Sequence, residues 1–228
     1  MTNHRGEFIA FALESHALAF GAFTTKAGRR SPYFFNAGRF DGGASLAALG
    51  RFYARTLVVA EREHGLAFDL LFGPSYKGIT LAAATAMAFA TMREDEGGRD
   101  IGFAYNRKEA KAHGEGGTLV GAALAGRKVI IVDDVLTDGA SKRESVDMIR
   151  AAGAEPAGVV IALDRMERKD EADLSTGSAV AAFEAQYGIP VYAIANLDDI
   201  MDWLKNDNSG ELAAHADAVS VYRSRYGA

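Results

Sequence analysis

Apolar positions change their period along the chain, and the change divides it into two parts. Over residues 5–19, Phe8, Ile9, Ala12, Leu13 and Leu18 recur at helical spacing. Residues 22–25 and 33–36 flank Gly28-Arg29-Arg30-Ser31-Pro32, a break rich in turn residues that predicts a hairpin. A second helix is expected over 46–62, with Leu46, Leu49, Tyr53 and Leu57 on one face. Beyond it, short continuous apolar runs at 70–72, 129–132, 159–163 and 191–194 alternate with helical stretches. Such runs are strands buried on both faces, so the predicted fold class is α/β, a central parallel sheet flanked by helices. Residues 106–117 carry three glycines and no apolar period, and are expected to form a mobile surface loop. Glu94-Asp95-Glu96-Gly97-Gly98 reads as a solvated turn, and no repeat, low-complexity tract or interdomain linker is visible.

Composition narrows the chemistry. A chain of 228 residues can hold one sizeable domain with a small appendage. The net charge of -5 argues against general nucleic-acid binding, which needs a basic excess. Positive charge is nevertheless clustered at 26–30 and 107–111, an arrangement that suits a small polyanionic substrate better than a polymer. The absence of cysteine excludes disulfides and thiol chemistry and argues against a structural zinc. The first residues contain no apolar core followed by a small-residue cleavage site, and no apolar run approaches bilayer length. The expected location is the cytoplasm, with no membrane partner.

The most informative stretch is Val129-Ile130-Ile131-Val132-Asp133-Asp134, followed by Thr137-Asp138-Gly139-Ala140-Ser141. It predicts a buried strand, a carboxylate pair and a short polar loop that opens a helix. Backbone N–H groups at such a helix start face an anion, while the adjacent carboxylates can grip a sugar diol. Phosphate at one end with ribose beside it is what a phosphoribosyl donor requires. On the plainer reading, the acids only solubilise a turn and Ser141-x-x-Glu144 is a capping box. No Gly-Lys-Ser/Thr ends the loop, so it is not a kinase P-loop.

Ligands in an open parallel sheet gather outside the carboxyl ends of the strands. Phe72-Gly73-Pro74-Ser75-Tyr76-Lys77-Gly78 follows one such end; its glycines allow close backbone approach and Lys77 offers a point charge to a diphosphate, or is a solvated lysine in a tight turn. Asp164-Arg165 follows another: the arginine can take a carboxylate with both prongs, or pair with Asp164 at the surface. Arg107, Lys108, Lys111 and His113 lie on the expected loop, either as a solvated mixed-charge segment or as a lid closing over diphosphate.

The strand–Asp-Asp–Thr-x-Gly-x-Ser–helix order resembles the phosphoribosyltransferase motif for 5-phosphoribosyl 1-diphosphate (PRPP). Three further segments are similar to bacterial orotate phosphoribosyltransferases: Phe20-Gly21-x-Phe23-Thr24-x-Lys26-x-Gly28-Arg29-x-Ser31-Pro32-Tyr33-Phe34-Phe35-Asn36, Gly73-Pro74-x-Tyr76-Lys77-Gly78, and Asn106-Arg107-Lys108-Glu109-Ala110-Lys111-x-His113-Gly114-Glu115-Gly116. The resemblance runs in order over nearly the whole chain. It implies a type I phosphoribosyltransferase fold in a single domain, 1–228, with a hood mainly over 1–40 and a core over about 41–228. It further implies a homodimer, dependence on Mg2+, and conversion of orotate and PRPP to orotidine 5′-phosphate and pyrophosphate in pyrimidine (UMP) biosynthesis.

Carried over by position, the resemblance gives Lys26 to the PRPP side and Phe34 and Phe35 to an orotate pocket. Tyr76 and Lys77 would hold diphosphate, and Arg107, Lys108, Lys111 and His113 would form a lid acting partly in the partner subunit's site. Asp133 and Asp134 would bind the ribose hydroxyls. The run Val135, Leu136, Thr137, Asp138, Gly139, Ala140 and Ser141 would cradle the 5′-phosphate, and Thr137 and Arg165 would meet orotate. Lys111, His113, Asp133 and Asp134 are the catalytic candidates, and the Ser75–Tyr76 peptide is expected to be cis. The commoner family loop reads Thr-Ala-Gly-Thr, so Asp138 and Ala140 depart from it by adding a carboxylate and removing a hydroxyl. Another base-specific phosphoribosyltransferase, or a PRPP-sensing regulator without chemistry, is the alternative. Lys111, His113 and the Phe34, Phe35 and Arg165 set favour the orotate enzyme.

Overall fold

The computed structural model describes residues 4–25, 28–111, 117–136, 140–168, 177–206, 210 and 212–228. The chain opens with helix α1 (His4–Glu14) and an antiparallel pair, β1 (Leu18–Thr24) and β2 (Arg30–Phe35), joined in register Phe20↔Tyr33 and Thr24↔Arg30. Helix α2 (Gly43–His64) follows, ended by Gly65 in the left-handed region at φ 67°, a conformation that costs glycine nothing. Then come β3 (Leu70–Gly73), α3 (Lys77–Thr91), β4 (Gly102–Lys111), β5 (Gly117–Gly121), β6 (Lys128–Val135), α4 (Ala140–Ala151), β7 (Glu155–Asp164), α5 (Ala179–Tyr187), β8 (Val191–Asn196), α6 (Leu197–Asn206) and α7 (Ala213–Tyr226).

Among the described residues six strands form one sheet in the order β5-β4-β3-β6-β7-β8, every neighbouring pair parallel except β4 and β5. Because successive side chains in a strand point to opposite faces, the apolar runs serve two layers at once. Leu71, Ile130, Val132, Val160 and Ala162 join the cluster that includes Leu49, Tyr53 and Leu57 of α2 and Phe89 of α3. Leu70, Phe72, Val129, Ile131, Val159 and Ile161 join Val146 and Ile149 of α4 and Phe183 of α5. Each of these strand residues is completely buried, which for the valines, leucines, isoleucines and Phe72 is worth roughly 1.5–3 kcal/mol apiece. The first cluster also takes in Phe8, Ile9 and Tyr33, so the hairpin and α1 share a core with the sheet.

The segment 106–111 departs from the loop expected there. It is the second half of β4 and pairs with β5 through Asn106↔Leu119 and Lys111↔Gly117. Only the first half, Gly102 to Tyr105, lies against β3. The rest runs past the end of β3 as a two-stranded arm with little to bury, so its sequence never acquired an apolar alternation. Residues 112–116 of the expected loop lie outside the described residues.

Candidate active site

From β3 the chain crosses through α3 to β4 on one side, whereas β6 lies on the other side of β3 and leads on to β7. The crevice where connections diverge, beyond the carboxyl ends of β3 and β6, is where a sheet of this kind holds ligands. Both walls are tightly built. A Cβ on Gly73 would collide with the carbonyl of Gly78, and one on Gly78 would stand 2.8 Å from the carbonyl oxygen of Val132. These glycines let the turn at 73–78 lie directly on the end of β6.

Within that turn the Ser75–Tyr76 peptide is cis, as expected. The Ser75 N–H donates to Asn106 Oδ1 at 2.9 Å, tying the turn to β4. Lys108 Nζ lies 4.8 Å from the centre of the exposed Tyr76 ring, a cation–π contact that brings the two cationic segments together. Arg107, next on the strand, is half-buried.

At the end of β6 the alternation of the strand sends the two acids to different layers. Asp134 Oδ2 accepts from Lys77 Nζ at 2.7 Å, from the first residue of α3. Asp133 Oδ2 accepts from Lys142 Nζ, from the first turn of α4. The remaining oxygens take backbone donors: Asp134 N–H to Asp133 Oδ1 and Val135 N–H to Asp134 Oδ1, both at 2.9 Å. Beneath them the buried Tyr53 hydroxyl donates to the carbonyl of Asp133 at 2.8 Å. Burial raises the Asp133 carboxyl above the usual carboxylate range and Asp134 adds to the shift, with Lys142 opposing it. Val135 is half-buried and Leu136 buried. Ser141 lies inside α4 and its carbonyl accepts the Ser145 hydroxyl at 2.8 Å, so it is not the N-cap that a capping box would make of it.

A third constellation sits at the end of β7, which pairs with β6 through Val135↔Leu163. Glu167 is its hub. Arg165 Nη2 lies 2.7 Å from Glu167 Oε1, and Arg29 Nη1 lies 3.3 Å from Oε2. The hydroxyls of Tyr222 and Tyr33 donate to Oε1 at 2.9 and 3.3 Å. The Arg165 guanidinium also rests over the Tyr33 ring and donates through Nε to its hydroxyl. Despite its closeness to Glu167, the buried Nη2 makes no hydrogen bond. Burial pushes the Tyr222 hydroxyl up to about 12, with Glu167 adding to the shift. Arg165 pairs with Glu167, and Asp164 Oδ1 accepts the Met166 N–H at 2.8 Å.

Phe34 and Phe35 are neighbours in β2 and face opposite ways. Phe34 is exposed and stacks on Phe23 at 5.4 Å, while Phe35 packs towards Phe8 and Phe40. They do not line one wall together. Lys26, His113, Thr137, Asp138 and Gly139 lie outside the described residues, as do the side chains of Lys111 and Ala140.

Sequence reasoning missed two residues here, Lys142 and Glu167. The first had a readable signal: Lys142, Ser145, Val146 and Ile149 follow an i, i+3, i+4, i+7 stripe, and all four are buried. Glu167 had none, since its partners come from β2 and the residue before it, the residue after β7, and α7.

Among the described residues no three His, Cys, Asp or Glu side chains gather as a metal cage, and no helix is long and apolar enough to cross a membrane. Residues 51–188 match the profile of the phosphoribosyl transferase domain. The chain is 60% identical over 221 residues to the orotate phosphoribosyltransferase of Cupriavidus necator, covering 96% of this chain and 93% of that one. It is 59% identical over 227 residues to that of Chromobacterium violaceum, covering 100% and 99%. The crystal structure of the Francisella tularensis orotate phosphoribosyltransferase superposes with a TM-score of 0.79 at 37% identity, over 97% of this chain and 96% of that one. The paired acids and lysines at the switch point thus sit in a chain that belongs to the orotate phosphoribosyltransferase family.

Proposed function

We propose that this chain transfers the 5-phosphoribosyl group of PRPP to orotate, giving orotidine 5′-phosphate and pyrophosphate for pyrimidine synthesis. The observation that carries the reading is the pair of adjacent carboxylates, each with its own lysine, between the diphosphate turn and the phosphate loop. Asp133 and Asp134 hold the ribose hydroxyls, and Val135 to Ser141 receive the 5′-phosphate on backbone N–H groups at the start of α4. Tyr76 and Lys77 hold the diphosphate, and Lys26 serves the PRPP side of the site. Arg165 takes the orotate carboxylate, a role supported by its place directly after the carboxyl end of β7 beside the paired acids of β6, and the exposed Phe34 offers a ring for the base, with Phe35 behind it.

Departure of pyrophosphate builds negative charge on the leaving oxygen and positive charge on the sugar. Cations held near the leaving oxygen lower that barrier; Arg107 and Lys108 of β4 are assigned this role together with Lys111 and His113, and the lid they belong to shields the sugar from water. Magnesium carried in with PRPP would supply further charge neutralisation. The donor set fits an ion brought by the substrate, since Mg2+ commonly keeps water and phosphate oxygens as ligands and needs only one or two carboxylates. The working unit is a cytoplasmic homodimer of one-domain chains, with part of each lid serving the partner's site.

Two experiments test this. Loss of orotate absorbance on mixing with PRPP and magnesium, absent for uracil, hypoxanthine and adenine as acceptors, is the expected result; no turnover of orotate sinks the reading. For the shared lid, Lys111→Ala and Arg165→Ala chains are refolded together. Half the dimers are then mixed and each has one intact site, so about a quarter of wild-type activity should return. Activity no higher than that of the separate variants, with exchange demonstrated, places each lid in its own subunit.

A further inference from the structure

The sheet presents one carboxylate to each of its layers, and the first turn of a helix in each layer answers with a lysine. The two lysines live in different surroundings. The Lys77 side chain is 57% exposed, whereas that of Lys142 is 6% exposed. Lys142 belongs to the inward stripe of α4, a place an apolar residue would normally fill. Its ammonium meets Asp133 Oδ2 and also donates to the carbonyl of Val135 at 2.6 Å. It therefore joins the last residues of β6 to the first turn of α4, across the loop assigned to phosphate.

Ammonium groups are rarely buried without a partner, because the cost of leaving water is several kcal/mol per ion. Here the partner is a carboxylate that the proposed mechanism uses. We propose that Lys142 is a positioning residue for the phosphoribosyl donor: from beneath the site it keeps Asp133 ionised and fixed for the ribose hydroxyls, and it holds the ends of the phosphate loop together. Lys77 then remains free to swing from Asp134 to the diphosphate, whereas Lys142 stays on Asp133 throughout.

Among the described residues, the charged and titratable groups facing Asp133 are Lys142 from α4, Asp134 beside it on β6 with Lys77 of α3 behind, and the buried Tyr53 hydroxyl of α2 on its carbonyl. Its register partner on β7 is Ile161, which carries no charge. Among the described residues, Lys142 is thus the cation in direct contact with Asp133. Removing it leaves burial and Asp134, both of which favour the neutral acid.

The inference rests on Asp133 binding the ribose, and the test separates the two. Lys142→Met and Lys142→Arg are assayed for PRPP binding by calorimetry, for the Michaelis constants of both substrates, and for the acid limb of kcat/KM for PRPP. In Lys142→Met the dissociation constant for PRPP should rise roughly tenfold and the acid limb should move to higher pH by about one unit. The Michaelis constant for orotate should stay within about twofold, and arginine should return the limb towards its wild-type position. A purely structural lysine would lower stability and leave the limb in place. A folded Lys142→Met with an unmoved limb and PRPP affinity within twofold of wild type overturns the inference. If that variant does not fold, Asp133→Asn/Lys142→Met removes both buried charges, and an acid limb that persists there at its wild-type position overturns it equally. Asp133→Ala is the control: undiminished PRPP affinity means the ribose assignment itself is wrong, whereas lost affinity there with none lost in Lys142→Met rejects only the role of Lys142.

Discussion

Asp133 and Asp134 are adjacent residues with the same side chain, and each is paired with a lysine, yet the two pairs sit in different surroundings. The period of two in β6 decides this. Asp133 shares its face with Val129 and Ile131, which pack on α4 and α5, and Asp134 shares its face with Ile130 and Val132, which pack on α2 and α3. One pair is closed inside a layer; the other opens on the crevice. Within a closed layer an ion pair is held by the cost of breaking it, while at the crevice the same contact can be traded for a substrate. A single dipeptide thus supplies an anchored carboxylate and one whose cation is available.

The largest effect expected from breaking this comparison is on stability. Lys142→Ala leaves a buried carboxylate without its counter-charge and should lower the unfolding free energy by about 3–5 kcal/mol. Lys77→Ala removes a lysine that is more than half exposed, whose pair contributes under about 1 kcal/mol. Urea unfolding of the two variants measures both. Equal losses would erase the distinction between an inner and an outer pair.

Activity should rank the two the other way in one respect. Lys77→Ala should keep its fold and lose roughly a hundredfold in kcat/KM for PRPP, the cost of one positioned cation at a developing negative charge. A stable Lys77→Ala enzyme with unchanged kcat/KM would leave Lys77 as an ordinary surface partner of Asp134.

Much of this was legible in the chain, and the reasons for the gaps are physical. The β3, β6 and β7 runs were visible because strands buried on both faces have few polar positions to confuse the pattern, and the edge strand β8 was visible because its run is apolar although only Ile194 and Ala195 are buried. The second half of β4 was invisible, since an arm leaving the sheet at Asn106 carries no apolar alternation. Asp133 and Asp134 were readable as a motif, but their division between layers needs the register of the sheet. Lys142 was passed over because lysine on a helix usually marks the wet face, although its place on the stripe with Val146 and Ile149 argued otherwise. The Glu167 hub joins residues as far apart as Arg29 and Tyr222, and no local pattern records such a meeting.

The pH dependence of folding sharpens the comparison at smaller scale. The folded Asp133 carboxyl titrates above its unfolded value, so its contribution to stability is present below the ordinary carboxylate value, about 3.9, and is lost as pH rises through the folded value. Wild type should therefore lose stability relative to Asp133→Asn/Lys142→Met as pH climbs from about 4 towards neutrality. Parallel stability curves for the two proteins across that range would mean that Asp133 titrates alike in the folded and unfolded chains.

The smallest expected effect concerns a third acid in the same loop. Asp138 lies outside the described residues, but sequence places it four positions beyond Asp134, beside the site assigned to a dianionic phosphate. Unlike its two neighbours, it stands where the commoner family loop has alanine, so no ribose hydroxyl is assigned to it. A carboxylate there repels the phosphate through solvent, by an amount that mobile ions screen over about 10 Å at 0.1 M salt. Asp138→Ala should therefore bind PRPP at least as tightly as wild type, by up to a fewfold at low ionic strength, with the two affinities converging as salt is raised. Calorimetric titrations at about 0.02 and 0.5 M salt read both limbs of this expectation. Binding that weakens sharply in the variant at either salt would make Asp138 a working part of the loop, most simply as the side chain that caps α4. The chain would then have three acids with three separate duties in six residues, one inside a layer, one at the crevice and one at the start of the helix.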